Sequence, residues 1–86
     1  MVPTGVRVKV LYWAQARELA GTASDSLELH DPADIPALME AILEKHPKLA
    51  ELRQSMKIAI NGKIGGPEVR LKEGDEVALL PPVSGG

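Results

Sequence analysis

Only one stretch of this chain can bury itself as a long helix, and that restricts what the rest can do. Ile35, Leu38, Met39, Ile42 and Leu43 fall at i, i+3, i+4, i+7 and i+8. That spacing lines them up on one face of an α-helix, with Glu40 and Glu44 turned away. Asp34 stands where an N-cap belongs, and Pro36 lies in the first turn, where its missing N–H costs nothing. His46-Pro47 closes the segment, because the residue before a proline disfavours helical geometry. A single helix with a single apolar stripe needs one sheet face to cover it. The pattern predicts an α+β domain of two layers.

The strands that must supply that face are legible from alternation. In Val6 to Trp13, Val6, Val8, Val10 and Tyr12 share one face, while Arg7, Lys9, Leu11 and Trp13 share the other. Ala14 to Ala20 is rich in helix formers and stops at Gly21, a natural C-cap, so it predicts a short helix. Ser26 to His30 alternates again with Leu27 and Leu29 inward, and Asp31-Pro32 breaks it. Lys48 to Gln54 carries Leu49 and Leu52 and predicts one more helical turn. Lys57 to Ile60 reads as a buried strand. Asn61-Gly62 is the strongest hairpin signal in the chain, with Lys63-Ile64 as the return and Gly65-Gly66-Pro67 as an interruption. Lys72 to Asp75 predicts a turn. Glu76 to Leu80 predicts the last strand, with Val77 and Leu79 inward, and Pro81-Pro82 ends its ladder. A mixed sheet cradling one main helix in this order is a β-grasp, ubiquitin-like arrangement, expected over residues 1–80 and followed by a tail at 81–86.

Composition removes several classes of function. The 86 residues suffice for one small domain. With no Phe, one Trp and one Tyr, the core must be aliphatic. The absence of Cys excludes disulfides, thiolate metal sites and cysteine nucleophiles. His30 and His46 lack a partner at metal-ligand spacing, so no metal site is expected, and His46 reads as a capping or surface residue. A net charge of −2 without a basic block gives no support for nucleic-acid binding. The apolar runs are too short for a membrane span, and the first residues have no leader character, so a cytoplasmic protein is expected. Gly62 to Gly66 is glycine-rich, but it follows a hairpin and opens no helix, which is turn chemistry rather than a phosphate loop. No Ser/His/Asp set or paired carboxylates can be picked out. A self-contained enzyme is not expected; the chain reads as a carrier on which other proteins act.

Two features remain to carry function. The first is the end, Val83-Ser84-Gly85-Gly86. Terminal glycines contribute nothing to a core and are costly to order, but they place the Gly86 carboxylate on a thin stalk that fits a narrow channel. A carboxylate so placed is open to activation, for instance as an acyl-adenylate. Pro81-Pro82 stiffens the base, and the tail reaches roughly 20 Å when extended. The second is an apolar set out of phase with the core: Trp13, Ile64 and Leu80. If clustered, they form a partner surface, with Trp13 as its anchor.

These residues resemble the MoaD-type small subunits of molybdopterin synthase, the sulfur carriers of the MoaD/ThiS family. The resemblance is carried by Val10-Leu11-Tyr12-Trp13-Ala14-Gln15-Ala16-Arg17-Glu18-Leu19-Ala20-Gly21 and by Gly74-Asp75-Glu76-Val77-Ala78-Leu79-Leu80-Pro81-Pro82-Val83-Ser84-Gly85-Gly86. The helix after the first strand and the Pro-Pro-Val-Ser-Gly-Gly ending favour the molybdenum branch over thiamine-type carriers. Family members often carry aromatic residues near both the first and the last strand; Tyr12-Trp13 keeps them here, and Leu79-Leu80 does not. The resemblance implies that a ubiquitin-activating-like, MoeB-type adenylyltransferase uses ATP to adenylate Gly86. A sulfur donor then converts it to a thiocarboxylate. The tail, through Val83, Ser84 and Gly85, next inserts into a large MoaE-type synthase subunit and gives its sulfur to cyclic pyranopterin monophosphate, forming the dithiolene of molybdopterin. It further implies a heterotetramer with the catalytic pocket on the large subunit, no cofactor bound by this chain, and docking through Trp13, Ile64 and Leu80. A ubiquitin-like protein modifier, a carrier for thiamine or tRNA thiolation, and a plain binding module with an inert tail stay open as alternatives.

Overall fold

A computed structural model describes residues 5–66 and 68–82. In it the alternating N-terminal run forms β1 (Gly5–Tyr12), whose valines 6, 8 and 10 and Tyr12 are buried as the alternation requires. The strand ends one residue earlier than its periodicity, because Trp13 serves as the N-cap residue of α1 (Ala14–Ala20). Gly21 closes α1 in the left-handed region at φ 75°, donating its N–H to the Arg17 carbonyl. Then follow β2 (Ser24–His30), β3 (Ala33–Asp34) and α2 (Ile35–Lys45). A 3-10 helix (Pro47–Leu52) precedes β4 (Lys57–Ile60), β5 (Lys63–Ile64), β6 (Arg70–Leu71) and β7 (Glu76–Leu80).

The main sheet has five strands in the order β2-β1-β7-β4-β5. β1 and β7 run parallel in its middle, and the other neighbours are antiparallel. This is the mixed β-grasp sheet, and α2 covers one of its faces. Ile35, Leu38, Met39 and Ile42 of the stripe are buried, while Leu43, at its margin, is half-buried. They meet Val8, Val10, Val77 and Leu79 from the sheet and Leu49 from the 3-10 helix, all almost fully enclosed. The Asp34 side chain accepts a hydrogen bond from the Ala37 N–H at 3.0 Å, which is the expected N-cap.

The turns obey local chemistry. Asn61 and Gly62 have φ of 51° and 88°, both positive, as the tight two-residue hairpin between β4 and β5 requires. Asn61 also ties that hairpin to β7, accepting from the Glu76 N–H and donating to the Asp75 carboxylate, each at 3.0 Å. The strand signal did not foresee the small second sheet, in which β3 pairs antiparallel with β6. Among the described residues, no helix is long and apolar enough to cross a membrane.

Candidate functional site: the open sheet face and the base of the tail

α2 occupies one face of the main sheet; the register assigns the residues of the other. Leu11 of β1 lies opposite Ala78 of β7, Ala78 opposite Ala59 of β4, and Ala59 opposite Ile64 of β5. Their neighbours in the next rung, Tyr12, Leu79 and Ile58, all point into the core. Alternation therefore puts Leu11, Ala78, Ala59 and Ile64 in one row across the open face. On one side of this row stands a polar rung in which Lys9 is opposite Glu76. On the other side Leu80 lies opposite Lys57, and Trp13 continues β1 in extended geometry at φ −114°.

Of the three residues singled out by phase, Trp13 and Leu80 thus lie along one margin of the apolar strip, whereas Ile64 belongs to the row itself, at its β5 end and three strands away from Trp13. Trp13 is 54% exposed and Ile64 63% exposed, the two large hydrophobic side chains left in solvent among the described residues. Leu80 is half-buried. Ile64 also borders a groove of about 330 Å³ that runs round the sheet edge past Ile58 to Ile35 and Met56. Alternation alone put Leu11 on the outer face, but Leu11, Ala59 and Ala78 were not among the candidate docking residues. Two of these are alanines, which carry no apolar signal alone, and it is the pairing register that makes them a row.

The tail leaves from this margin. Leu80 is the last ladder residue, Pro81 is half-buried and Pro82 exposed. Gly86, Gly85, Ser84 and Val83, the predicted reactive end, lie outside the described residues.

A polar cluster supports the β1 end of the strip. Asp25 of β2 accepts from the Tyr12 hydroxyl at 2.9 Å and from Lys45 Nζ at 2.9 Å, and its Oδ2 lies 2.6 Å from His46 Nε2. The rings of Tyr12 and His46 meet edge to face, with centroids 5.4 Å apart. His46 caps α2, as expected, through its N–H to the Ile42 carbonyl. It is not a surface residue, however, since only 15% of its side chain is exposed; tertiary pairing with a carboxylate 21 positions upstream draws it in. Burial works against the charged form of Asp25. The hydrogen bonds from His46, Lys45 and Tyr12, with the Lys45 charge, outweigh it and hold the carboxyl down at about 2. Burial, and then the Asp25 carboxylate, push the Tyr12 hydroxyl above its ordinary value.

The direction of the Asp25 shift fixes its effect on stability. Unfolded, the carboxyl takes up its proton around 3.8, whereas folded it stays charged to about 2. Its contribution is therefore complete above pH 3.8, declines as acid is added and vanishes once pH falls through the folded value. Acid titration of unfolding free energy should show this loss between the two values. Asp25→Asn should flatten that slope, with about one proton fewer taken up on unfolding.

Among known proteins, the profile of the ThiS family matches residues 10–86. The molybdopterin synthase sulfur carrier subunit of Chlamydomonas reinhardtii is 40% identical over 83 residues, covering 94% of this chain and 100% of that protein. Its human counterpart is 36% identical over 91 residues, covering 100% of both chains. A structure described as molybdopterin converting factor subunit 1 of Pyrococcus furiosus superposes with a TM-score of 0.83 at 36% identity, over 91% of this chain and 99% of the other. Small archaeal modifier protein 1 of Methanosarcina acetivorans gives a TM-score of 0.82 at 31% identity, over 95% and 98%. A chain from the complex of subunits 1 and 2 of the Helicobacter pylori molybdopterin-converting factor gives 0.68 at 28%, over 94% and 100%. The match spans the apolar row and the whole tail, and the chain belongs to the ThiS family, in the company of molybdopterin synthase sulfur carrier subunits.

Proposed function

We propose that this chain is the sulfur-carrier small subunit of a molybdopterin synthase and that the carboxylate of Gly86 is its working group. A carboxylate is a poor electrophile, so it must first be given a leaving group. Attack of the Gly86 carboxylate on the α-phosphorus of ATP, on a MoeB-type activating enzyme, releases pyrophosphate and leaves an acyl-adenylate. A sulfur donor then displaces AMP and leaves a thiocarboxylate. The loaded tail enters a large MoaE-type subunit and delivers sulfur to cyclic pyranopterin monophosphate. Water restores the carboxylate, and two loaded carriers are used per dithiolene. The chain itself holds no cofactor in this scheme; ATP belongs to the activating enzyme. A cytoplasmic heterotetramer, two large subunits with a carrier at each end, is the assembly that fits.

The observation that carries this reading is the exit of the tail from the rim of an apolar strip. Docking through Trp13, Ile64 and Leu80 would fix the carrier, and the stiff Pro81-Pro82 base would direct the last four residues into the partner. Gly85 would pass where a Cβ clashes. The complex of subunits 1 and 2 known for the Helicobacter pylori protein supports a large-subunit partner. Because the activating enzyme would use the same strip, the two complexes should exclude each other. The likeness to an archaeal modifier protein favours a second reading, in which the same adenylate is taken by a lysine of another protein.

The test is reconstitution. This chain bearing a C-terminal thiocarboxylate, mixed with the large subunit and cyclic pyranopterin monophosphate, should yield molybdopterin, whereas the plain carboxylate form should not. Product formed equally by both forms would refute the carrier role. Lysine-linked adducts that survive denaturation would establish the modifier reading.

A further inference from the structure

The junction between β1 and α1 is held more firmly than the core requires, and the residue in its middle is exposed. Ala14, the first residue of α1, sits at φ 49°, the left-handed region that an alanine avoids. Such a conformation persists only where the surroundings over-determine it. On the other side of Trp13, Tyr12 is fixed three times over. Its N–H donates to the Ala23 carbonyl at 2.9 Å, its hydroxyl donates to Asp25, and its ring meets the edge of His46. Asp25 is in turn held by Lys45 and His46 from the end of α2. Between these anchors, the Trp13 carbonyl accepts from the N–H groups of Ala16 at 2.9 Å and Arg17 at 3.4 Å. The Trp13 backbone is thus clamped from both directions while its side chain stays more than half in solvent.

Tyr12 already closes the core at this end, so burial gives no reason to hold Ala14 in a disfavoured conformation merely to display an indole. We infer that Asp25, with His46 and Lys45, is a positioning clamp that acts through Tyr12 to fix Trp13 in one orientation for docking. Ordering a large side chain at the moment of binding weakens affinity, and a side chain ordered beforehand avoids that loss. The inference rests on the reading of Trp13 as a partner anchor.

Trp13 is the only tryptophan of the chain, so its fluorescence reports on the clamp directly. The experiment measures time-resolved anisotropy of Trp13 in the free chain, and affinity for the large subunit, in wild type, Asp25→Asn, Lys45→Ala and Trp13→Ala. Asp25→Asn should melt cooperatively, show faster indole motion and bind about tenfold more weakly. Should that variant not fold, Lys45→Ala carries the test. It takes one of its three partners from Asp25 and alters a half-exposed side chain, leaving Tyr12 and His46 in place, so it should keep the fold and show the same two changes to a smaller degree. Unchanged indole motion in a folded variant would overturn the clamp. Faster motion without weaker binding, where Trp13→Ala does weaken it, would overturn its role in docking. Unchanged binding by Trp13→Ala would instead refute the anchor reading, and the anisotropy would still decide whether the clamp exists.

Discussion

Deletion of Gly86 should abolish sulfur transfer and leave the fold and the docking of this chain intact. The shortened chain ends at Gly85, and its carboxylate falls about 3.5 Å short of the original position. A misplacement of only about 1 Å can reduce a positioned reaction about 100-fold, so even a loaded Gly85 should donate at background rate. Nothing in the core should respond, because the last ladder residue is Leu80 and Pro82 is already exposed. Thermal unfolding and affinity for the large subunit should therefore match wild type while product formation is lost. A chain that unfolds on this deletion would show the tail to be structural, and one that keeps full activity would show that Gly86 is not the carrier group.

Trp13→Ala should have the opposite signature. The side chain is more than half exposed, so its removal should change folding stability by no more than about 0.5 kcal/mol, as for other surface positions. An aromatic anchor at an interface is worth about 2 kcal/mol or more, so affinity for the large subunit should fall about 30-fold. Saturating partner should then restore sulfur transfer, because the tail is untouched. Calorimetric titration of the variant measures the first effect, and product formation against partner concentration measures the second. Ile64→Ala should show the same pattern with a smaller loss, since it presents less area. Leu80→Ala should lower stability as well as affinity, because Leu80 is half-buried.

Most of the scaffold could be read from the chain. The period-two valines of β1, the capped stripe of α2 and the Asn61-Gly62 hairpin each carry a local signal strong enough to fix an element, and the structure places all three as expected. The paired strands β3 and β6 carried no such signal. A ladder of two residues has no periodicity to detect, and only tertiary pairing brings Ala33 to Leu71. Trp13 was legible as an outward residue but not as the cap of α1, since alternation runs on past the true strand end. The apolar row was half visible: alternation put Leu11 on the outer face and Ile64 stood out by size, whereas Ala59 and Ala78 gain meaning from the register of three strands. Asp25 gave no hint at all. A carboxylate in a polar strand looks like solvated surface until folding brings Tyr12, Lys45 and His46 to it.

The central claim, that Gly86 is a group to be activated and replaced, is tested most directly by intact mass spectrometry. The purified chain is incubated with an activating enzyme of demonstrated activity, ATP and a sulfur source. Exchange of one oxygen for sulfur should raise its mass by about 16 Da, and this gain should be absent when ATP is withheld. An unchanged mass with the full mixture would contradict the role of Gly86 as a sulfur carrier.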